Sequence, residues 1–235
     1  MAASPEAPRD AASLVIVDAA PGTLRVLLGK RRPTQIFAPG KYVFPGGSLD
    51  PADDEFAAAH RLADHDRFAL GDELERGSAQ RSPEAFALAA IRETFEETGL
   101  VIGSKGPSAP VVAPPAWLPF LAHGVSPNLA ALSFIARAIT PPGRPRRFDA
   151  RFFLADATAI SHHAPTNDGE FEEIAWVGFA EARKLDLHGM TRGILHETER
   201  FLALPAAERQ RAPVPFFFQG DGGWQQSYIA RAPKA

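Results

Sequence analysis

Cysteine is missing from all 235 residues. Its absence removes disulfides, zinc–thiolate centres and thiol nucleophiles together, leaves oxygen and nitrogen donors to carry any chemistry, and suits a reducing cytoplasm. An excess of positive charge is missing too. Lys and Arg number 25 against 28 Asp and Glu, a formal net charge of −3, so no global field draws the chain to nucleic acid or to an anionic membrane. Long apolar runs are also lacking: the one near the start, in MAASPEAPRDAASLVIVDAA, is too short to span a bilayer and lacks the basic-then-apolar order of a secretory signal. Pro233-Lys234-Ala235 is not the Ser-Lys-Leu peroxisomal address. No internal repeat or low-complexity tract is found. The expectation is a cytoplasmic protein with no nucleic-acid partner and no membrane partner.

What is present describes a chain that folds. Hydrophobic residues at 45% and charged residues at 23% lie near the globular average, and the length suits one domain with extensions. The 22 prolines are scattered among apolar segments, which suggests many rigid loops. We expect a single domain over 1–235, with an excursion at 48–81 and a C-terminal extension at 205–235.

The runs 13–18 (SLVIVD) and 24–30 (LRVLLGK), separated by Pro21-Gly22, predict strand, turn and strand. Tyr42-Val43-Phe44 predicts a short strand halted by a turn at Pro45-Gly46-Gly47. Asp50-Pro51 opens a predicted helix through about Ala63, and the polar stretch to Arg81 has no period. Ser82-Pro83-Glu84 and Gly99 bracket a helix over 83–98. Beyond it we expect a strand at 100–102, a loop over 103–117, a short helix opened by Ser126-Pro127, and strands at 133–139, 147–154 and 171–177. Apolar spacing predicts a helix over 191–204, and the tail from 212 has no assignment. This order predicts an α+β fold with a mixed sheet and packed helices.

The 83–98 helix carries the chemistry. At 100° per residue, Glu93, Glu96 and Glu97 share an arc of about 100°, with Leu88, Ile91 and Phe95 opposite. Two like charges at 4 Å cost about 4 kcal/mol at an effective dielectric near 20, so a positive group is expected there. Mg²⁺ or Mn²⁺ suits such oxygen donors and keeps sites for water and phosphate oxygens, which implies a phosphate-bearing substrate. Arg92 lies beside the arc, able to hold a glutamate or reach a phosphate, and small Ala89 and Ala90 leave room for a loop or ligand. A solvated charged face is the structural alternative for the three glutamates taken alone.

The neighbouring residues decide between them. Gly46-Gly47, Glu84, Arg92-Glu93, Phe95-Glu96-Glu97 and Gly99-Leu100 resemble the signature of the Nudix hydrolases: a glycine, five residues, a glutamate, seven residues, Arg-Glu, an apolar residue, any residue, Glu-Glu, any residue, Gly and an apolar residue. Thr94 takes the apolar position after Arg-Glu. Between Gly47 and Glu84 lie 36 residues where the pattern has five, so the excursion reads as an insertion before the helix. Loop-closure entropy grows slowly enough to tolerate it. FPGGSLDPAD (44–53) and RRFDARFFLA (146–155) are similar to flanking motifs of the insertion-containing peroxisomal coenzyme A diphosphatases, and the resemblance covers roughly 13–204.

The resemblance implies an α/β/α sandwich around a mixed sheet and hydrolysis of a nucleoside diphosphate derivative, with Mg²⁺ or Mn²⁺ as cofactor. It implies Glu93, Glu96 and Glu97 as metal ligands, Arg92 as the residue ordering them, and a base from a distant loop, for which Glu170 is favoured over Glu172 and Glu173. Gly47, Arg146 and Arg147 are the candidate substrate-binding residues. Arg144, Arg146 and Arg147 suit a phosphate such as the 3′-phosphate of coenzyme A or else form a solvated strand edge, and Lys30, Arg31 and Arg32 share that ambiguity. His162-His163 lacks a third ligand nearby, and adjacent strand residues face opposite ways. His60 and His65 are expected at the surface, and Phe216 to Phe218 in the core. Coenzyme A or an acyl derivative is the first substrate expected, with ADP-ribose, NADH or a dinucleoside polyphosphate as alternatives and a non-catalytic nucleotide sensor as another. Isoprenoid isomerisation uses a cysteine in this family, and the chain has none. A homodimer is left open.

Overall fold

The computed structural model describes residues 7–20, 22–75, 81–105, 112–165 and 169–233. The β-branched and leucine-rich runs form the middle of a mixed sheet: β1 (Arg9–Asp18), β2 (Arg25–Arg31), β3 (Tyr42–Val43), β4 (Gly46–Ser48), β7 (Ser133–Ile139), β8 (Phe148–Asp156), β10 (Phe171–Gly178), β11 (Val214–Gly220) and β12 (Gly223–Ile229). The main path is β10-β2-β1-β8-β7-β11-β12, with β3 on β2 and β4 on β1. Strand β1 runs parallel to β8, Arg9 facing Phe148 through to Val17 facing Asp156. Alternate residues of β1 feed two cores, as the period of a strand buried on both faces requires. Leu14 and Ile16 pack toward α3 (Pro83–Thr98), and Val15 and Val17 toward α6 (Gly189–Ala203).

The expected strands at 13–18, 24–30, 133–139, 147–154 and 171–177 and the helix at 191–204 each appear within a few residues of those bounds. The 83–98 helix appears with the expected ends. Ser82 Oγ accepts the Ala85 N–H at 3.1 Å, Pro83 fills the first turn, and Gly99 closes the helix at φ +73. A Cβ at Gly99 would stand 1.9 Å from the Ala164 carbonyl oxygen. Glycine is therefore needed there twice over, for the left-handed backbone and for the close approach.

The excursion departs from expectation. Its first helix, α1 (Pro51–Ala57), stops six residues early, and a second, α2 (Asp64–Glu75), occupies the stretch without period. Periodicity missed α2 because long-range contacts hold it. The Asp66 carboxylate is fully buried against Arg231 from beyond β12, and Arg67 pairs with Glu84 of α3 at 2.9 Å. Phe56, Leu62, Ala69 and Leu70 join the core under α3. His60 is half-buried, edge-on to Phe56 at 4.5 Å, and His65 approaches Asp66, so neither is a plain surface residue.

Three other expectations change. Gly46–Ser48 pairs with β1 and does not simply turn. Strand β5 (Leu100–Lys105) continues past 102 to join β6 (Val125–Pro127) as well as β9 (Ile160–His163), so Ser126-Pro127 ends an edge strand and the short helix expected there is one 3₁₀ turn at Leu129–Ala131. Residues 106–111 of the expected loop lie outside those described. The tail forms the β11–β12 hairpin, with Phe216, Phe217 and Phe218 half-buried. Short helices α4 (Leu118–Leu121), α5 (Phe179–Ala182) and α7 (Ala206–Arg209) complete the chain. Among the described residues, no helix is long and apolar enough to cross a membrane.

Candidate active site

Helix α3 packs across β1 and β4, and this contact sorts its three glutamates. Glu97 is 3% exposed and accepts the Gly46 N–H on Oε2 at 2.8 Å. Glu93 is partly buried beneath Gly47, where a Cβ would fall 2.4 Å from Glu93 Oε2. Glu96, 42% exposed, lies at the rim. Ala89 and Ala90 are fully buried in the core and leave no ligand space. Leu88 and Ile91 are also buried, and Phe95 is half-buried beside Phe120 and His123.

Arg92 ties this arc together. Its Nη1 donates to Glu93 Oε1 (2.9 Å) and Glu96 Oε2 (3.1 Å), and its Nη2 to the Ser48 carbonyl (3.0 Å). The other edge of the guanidinium forks onto Asp53, Nε to Oδ1 at 3.0 Å and Nη2 to Oδ2 at 2.9 Å. Burial works against the Arg92 charge, but Asp53, Glu93 and Glu96 outweigh it and leave its pKa above the ordinary arginine range. Asp53 is fully buried and also accepts the Asp50 N–H at 2.9 Å, closing the capping box of α1.

Sequence reasoning passed over Asp53 and had a signal for it. Asp53 follows Gly47 after five residues, the interval at which the resembled motif has its first acid. Glu84, which had been given that place, pairs with Arg67 of α2. The extra residues therefore enter after Asp53, and the approach from Gly47 to the first acid keeps its usual length.

On the other side, Arg31 of β2 is nearly buried between two acids. Its Nη2 donates to Glu170 Oε2 at 2.9 Å and to Gln35 Oε1 at 3.2 Å, and Nη1 lies 3.8 Å from Glu97 Oε1. Its Nε is buried with no hydrogen-bond partner among the described residues. Glu170 is thus gathered to the helix through Arg31. Glu172 instead takes Lys30 at 2.9 Å, Glu173 takes the Tyr42 hydroxyl at 2.9 Å, and Arg32 takes the Gly169 carbonyl. Arg147 donates Nε to the Thr140 carbonyl at 3.1 Å as a strut between strand ends, while Arg144 and Arg146 are exposed. His162 stacks on His123 at 4.9 Å.

The acids are under-compensated. Burial raises Glu93 to about 7, with Glu96 and Asp53 adding to the rise and Arg92 opposing it. Burial raises Glu97 well above the carboxylate range, against the Gly46 N–H and Arg31, with Glu93 and Glu170 reinforcing the rise. Among the described residues, no three His, Asp or Glu side chains already converge as a finished metal cage; protein donors hold them. The donor set nevertheless fits a hard divalent cation, because it is all oxygen, sits under a glycine backbone that admits close approach, and carries more buried negative charge than its arginines relieve.

No family model matches the chain. The sequence is 32% identical over 176 residues to the acyl-coenzyme A diphosphatase NUDT19 of Homo sapiens, covering 55% of this chain and 47% of that protein. It is 27% identical over 233 residues to the Gallus gallus protein of the same name, covering 74% and 62%. The chain thus spans about half to three-fifths of the length of these curated relatives. Among solved structures, a NUDIX hydrolase from Alicyclobacillus acidocaldarius superposes with a TM-score of 0.61 at 28% identity, over 81% of this chain and 90% of that one. Tertiary structure and sequence agree: the chain has the Nudix hydrolase fold and resembles the Nudix hydrolases in the residues of its acidic helix.

Proposed function

We propose that the chain is a divalent-cation-dependent pyrophosphohydrolase acting on a nucleoside diphosphate derivative, with coenzyme A or an acyl derivative as the first substrate class. Within the 48–81 excursion the inserted residues are those after Asp53, and 205–235 act as an extension of one domain, working in a reducing cytoplasm. The observation that carries this reading is the pair of buried Glu97 and partly buried Glu93 beside Gly46 and Gly47, with their carboxyl pKa values raised. A merely solvated charged face would not bury them.

Glu93, Glu96 and Glu97 would hold Mg²⁺ or Mn²⁺. Such an ion, when bound, acidifies water and neutralises pyrophosphate oxygens. Arg92, locked by Asp53, fixes the rotamers of Glu93 and Glu96. The glycine backbone at 46 and 47 lets a diphosphate come close, and the Arg31 guanidinium sets positive charge beside Glu97. Glu170 is the acceptor proposed for the proton of the attacking water, steadied by Arg31. Arg146 and Arg147 are proposed to meet the distal part of the substrate. The NUDT19 relatives, named for acyl-coenzyme A, support the substrate class.

The test is a panel of coenzyme A, an acyl-coenzyme A, ADP-ribose, NADH and dinucleoside polyphosphates with Mg²⁺ or Mn²⁺, products being identified by mass. Cleavage of coenzyme A to 4′-phosphopantetheine and 3′,5′-ADP is expected. Preferential cleavage of ADP-ribose or NADH would move the substrate class, and an intact panel would reject hydrolysis in favour of a nucleotide sensor.

A further inference from the structure

The C-terminal hairpin borders a cleft that the acidic site does not use. Strand β12 pairs with β11 so that Trp224 stands opposite Gln219 and Gln226 opposite Phe217. Facing residues in an antiparallel pair share a side of the sheet, as do every second residues along each strand. Trp224 and Gln219 therefore lie on the side where Phe217 packs with the α6 core, while Phe216 turns to the α3 core. The acids of α3 are on the other side. The loop from β7 to β8, Pro141-Pro142-Gly143-Arg144, turns through Gly143 at φ +80 and forms the opposite wall. Between loop and hairpin lies an open cleft of about 550 Å³, lined by Pro141, Pro142, Gly143, Arg144, Gln219 and Trp224.

Two of these groups stand in solvent. Trp224 is 55% exposed, a large ring left in water. Arg144 is exposed, and among the described residues no carboxylate pairs with it. Most other arginines near the sheet ends are engaged: Arg137 with Asp149, Arg147 with Thr140, Arg151 with Asp10.

We propose that this cleft binds a nucleoside monophosphate as a second site, separate from the diphosphate cleaved at the acids. The indole offers a stacking surface to the base, the Gln219 carboxamide can both donate to and accept from its edge, and the Arg144 guanidinium suits the phosphate. The proline-rich wall and the strand pair hold these groups on rigid backbone. The proposal does not depend on the chain being a hydrolase.

The test uses the full chain without divalent metal and three probes, AMP, adenosine and inorganic phosphate, measured by calorimetry. AMP is expected to bind at one equivalent. Trp224→Ala should weaken both AMP and adenosine by about tenfold or more, the loss expected for one stacked base. Arg144→Ala should weaken AMP and leave adenosine unchanged, and Glu97→Gln should leave AMP affinity unchanged. Both surface variants should keep the parent unfolding midpoint. No AMP binding at millimolar concentration, or AMP binding indifferent to Trp224 and Arg144, overturns the proposal. Loss of AMP binding in Glu97→Gln also overturns it by assigning the nucleotide to the acidic site. A simple hexose binding with the same Trp224 dependence would overturn the ligand class.

Discussion

Two buried arginines flank the acidic helix, and they are built differently. Arg92 has every nitrogen engaged, forked onto Asp53 and spread over Glu93, Glu96 and Ser48. Arg31 has one firm carboxylate partner in Glu170, a longer approach to Glu97, and a buried Nε that finds no acceptor among the described residues. A saturated guanidinium acts as a strut, since any movement breaks several charge-assisted bonds at once. An unsaturated one is held by fewer such bonds, and its buried unpaired donor carries a desolvation cost. The excursion side of α3 is therefore the more firmly braced of the two, and the β2 side the less.

The comparison is sharpened most by Glu97→Gln, which lies between the two arginines. Turnover should fall by orders of magnitude while the fold is kept, since the amide oxygen can still accept from Gly46; near-parental activity would remove Glu97 from the acidic set. Next comes Asp53→Ala, which strands Arg92 in the interior. Breaking a buried pair from one side costs about 3–5 kcal/mol, visible in a denaturant titration, and activity should fall by roughly 10–100-fold as support for the first acids is lost. An Arg31→Lys variant, by contrast, should lose about tenfold in kcat/KM with little change in unfolding midpoint, because a point charge replaces a fork while the charge itself is kept. Equal stability losses for Asp53→Ala and Arg31→Lys would erase the distinction between the fully bonded arginine and the partly bonded one.

A smaller effect tests whether the excursion side is a true core. Burial lowers the pKa of His60 below its ordinary 6.5. As the pH drops through 6.5 the unfolded chain takes up this proton first, so the contribution of His60 to stability is present above that value and lost below it. The unfolding midpoint should fall between pH 7.5 and pH 5.5 by less in His60→Gln than in the parent. An unchanged difference would mean that His60 is solvated and that the end of α1 is looser than its contact with Phe56 indicates.

Legibility in the sequence followed the range of the interactions. Helix α3 could be read residue by residue because its cap, its first proline and its terminal glycine act within one turn. Asp53 was legible too, through its interval from Gly47, but was masked by the more conspicuous Ser82-Pro83-Glu84 start. Helix α2 was not legible, since what holds it are Arg231 and Glu84, distant in the chain. The same holds for β11 and β12. A tail of prolines and aromatics becomes a hairpin because β7 offers a parallel edge to Phe216 and Phe217.

By itself the sequence determined the sheet-forming runs, the acidic helix with its ends, and the carboxylate oxygens along one of its faces, because backbone propensity, capping and side-chain type are local properties. Only the tertiary structure decided which of the three glutamates is buried, that Asp53 and not Glu84 anchors Arg92, and that Glu170 reaches the helix through Arg31. Burial and ion pairing depend on which distant segments are pressed together, and that is settled when the sheet and the excursion close over α3.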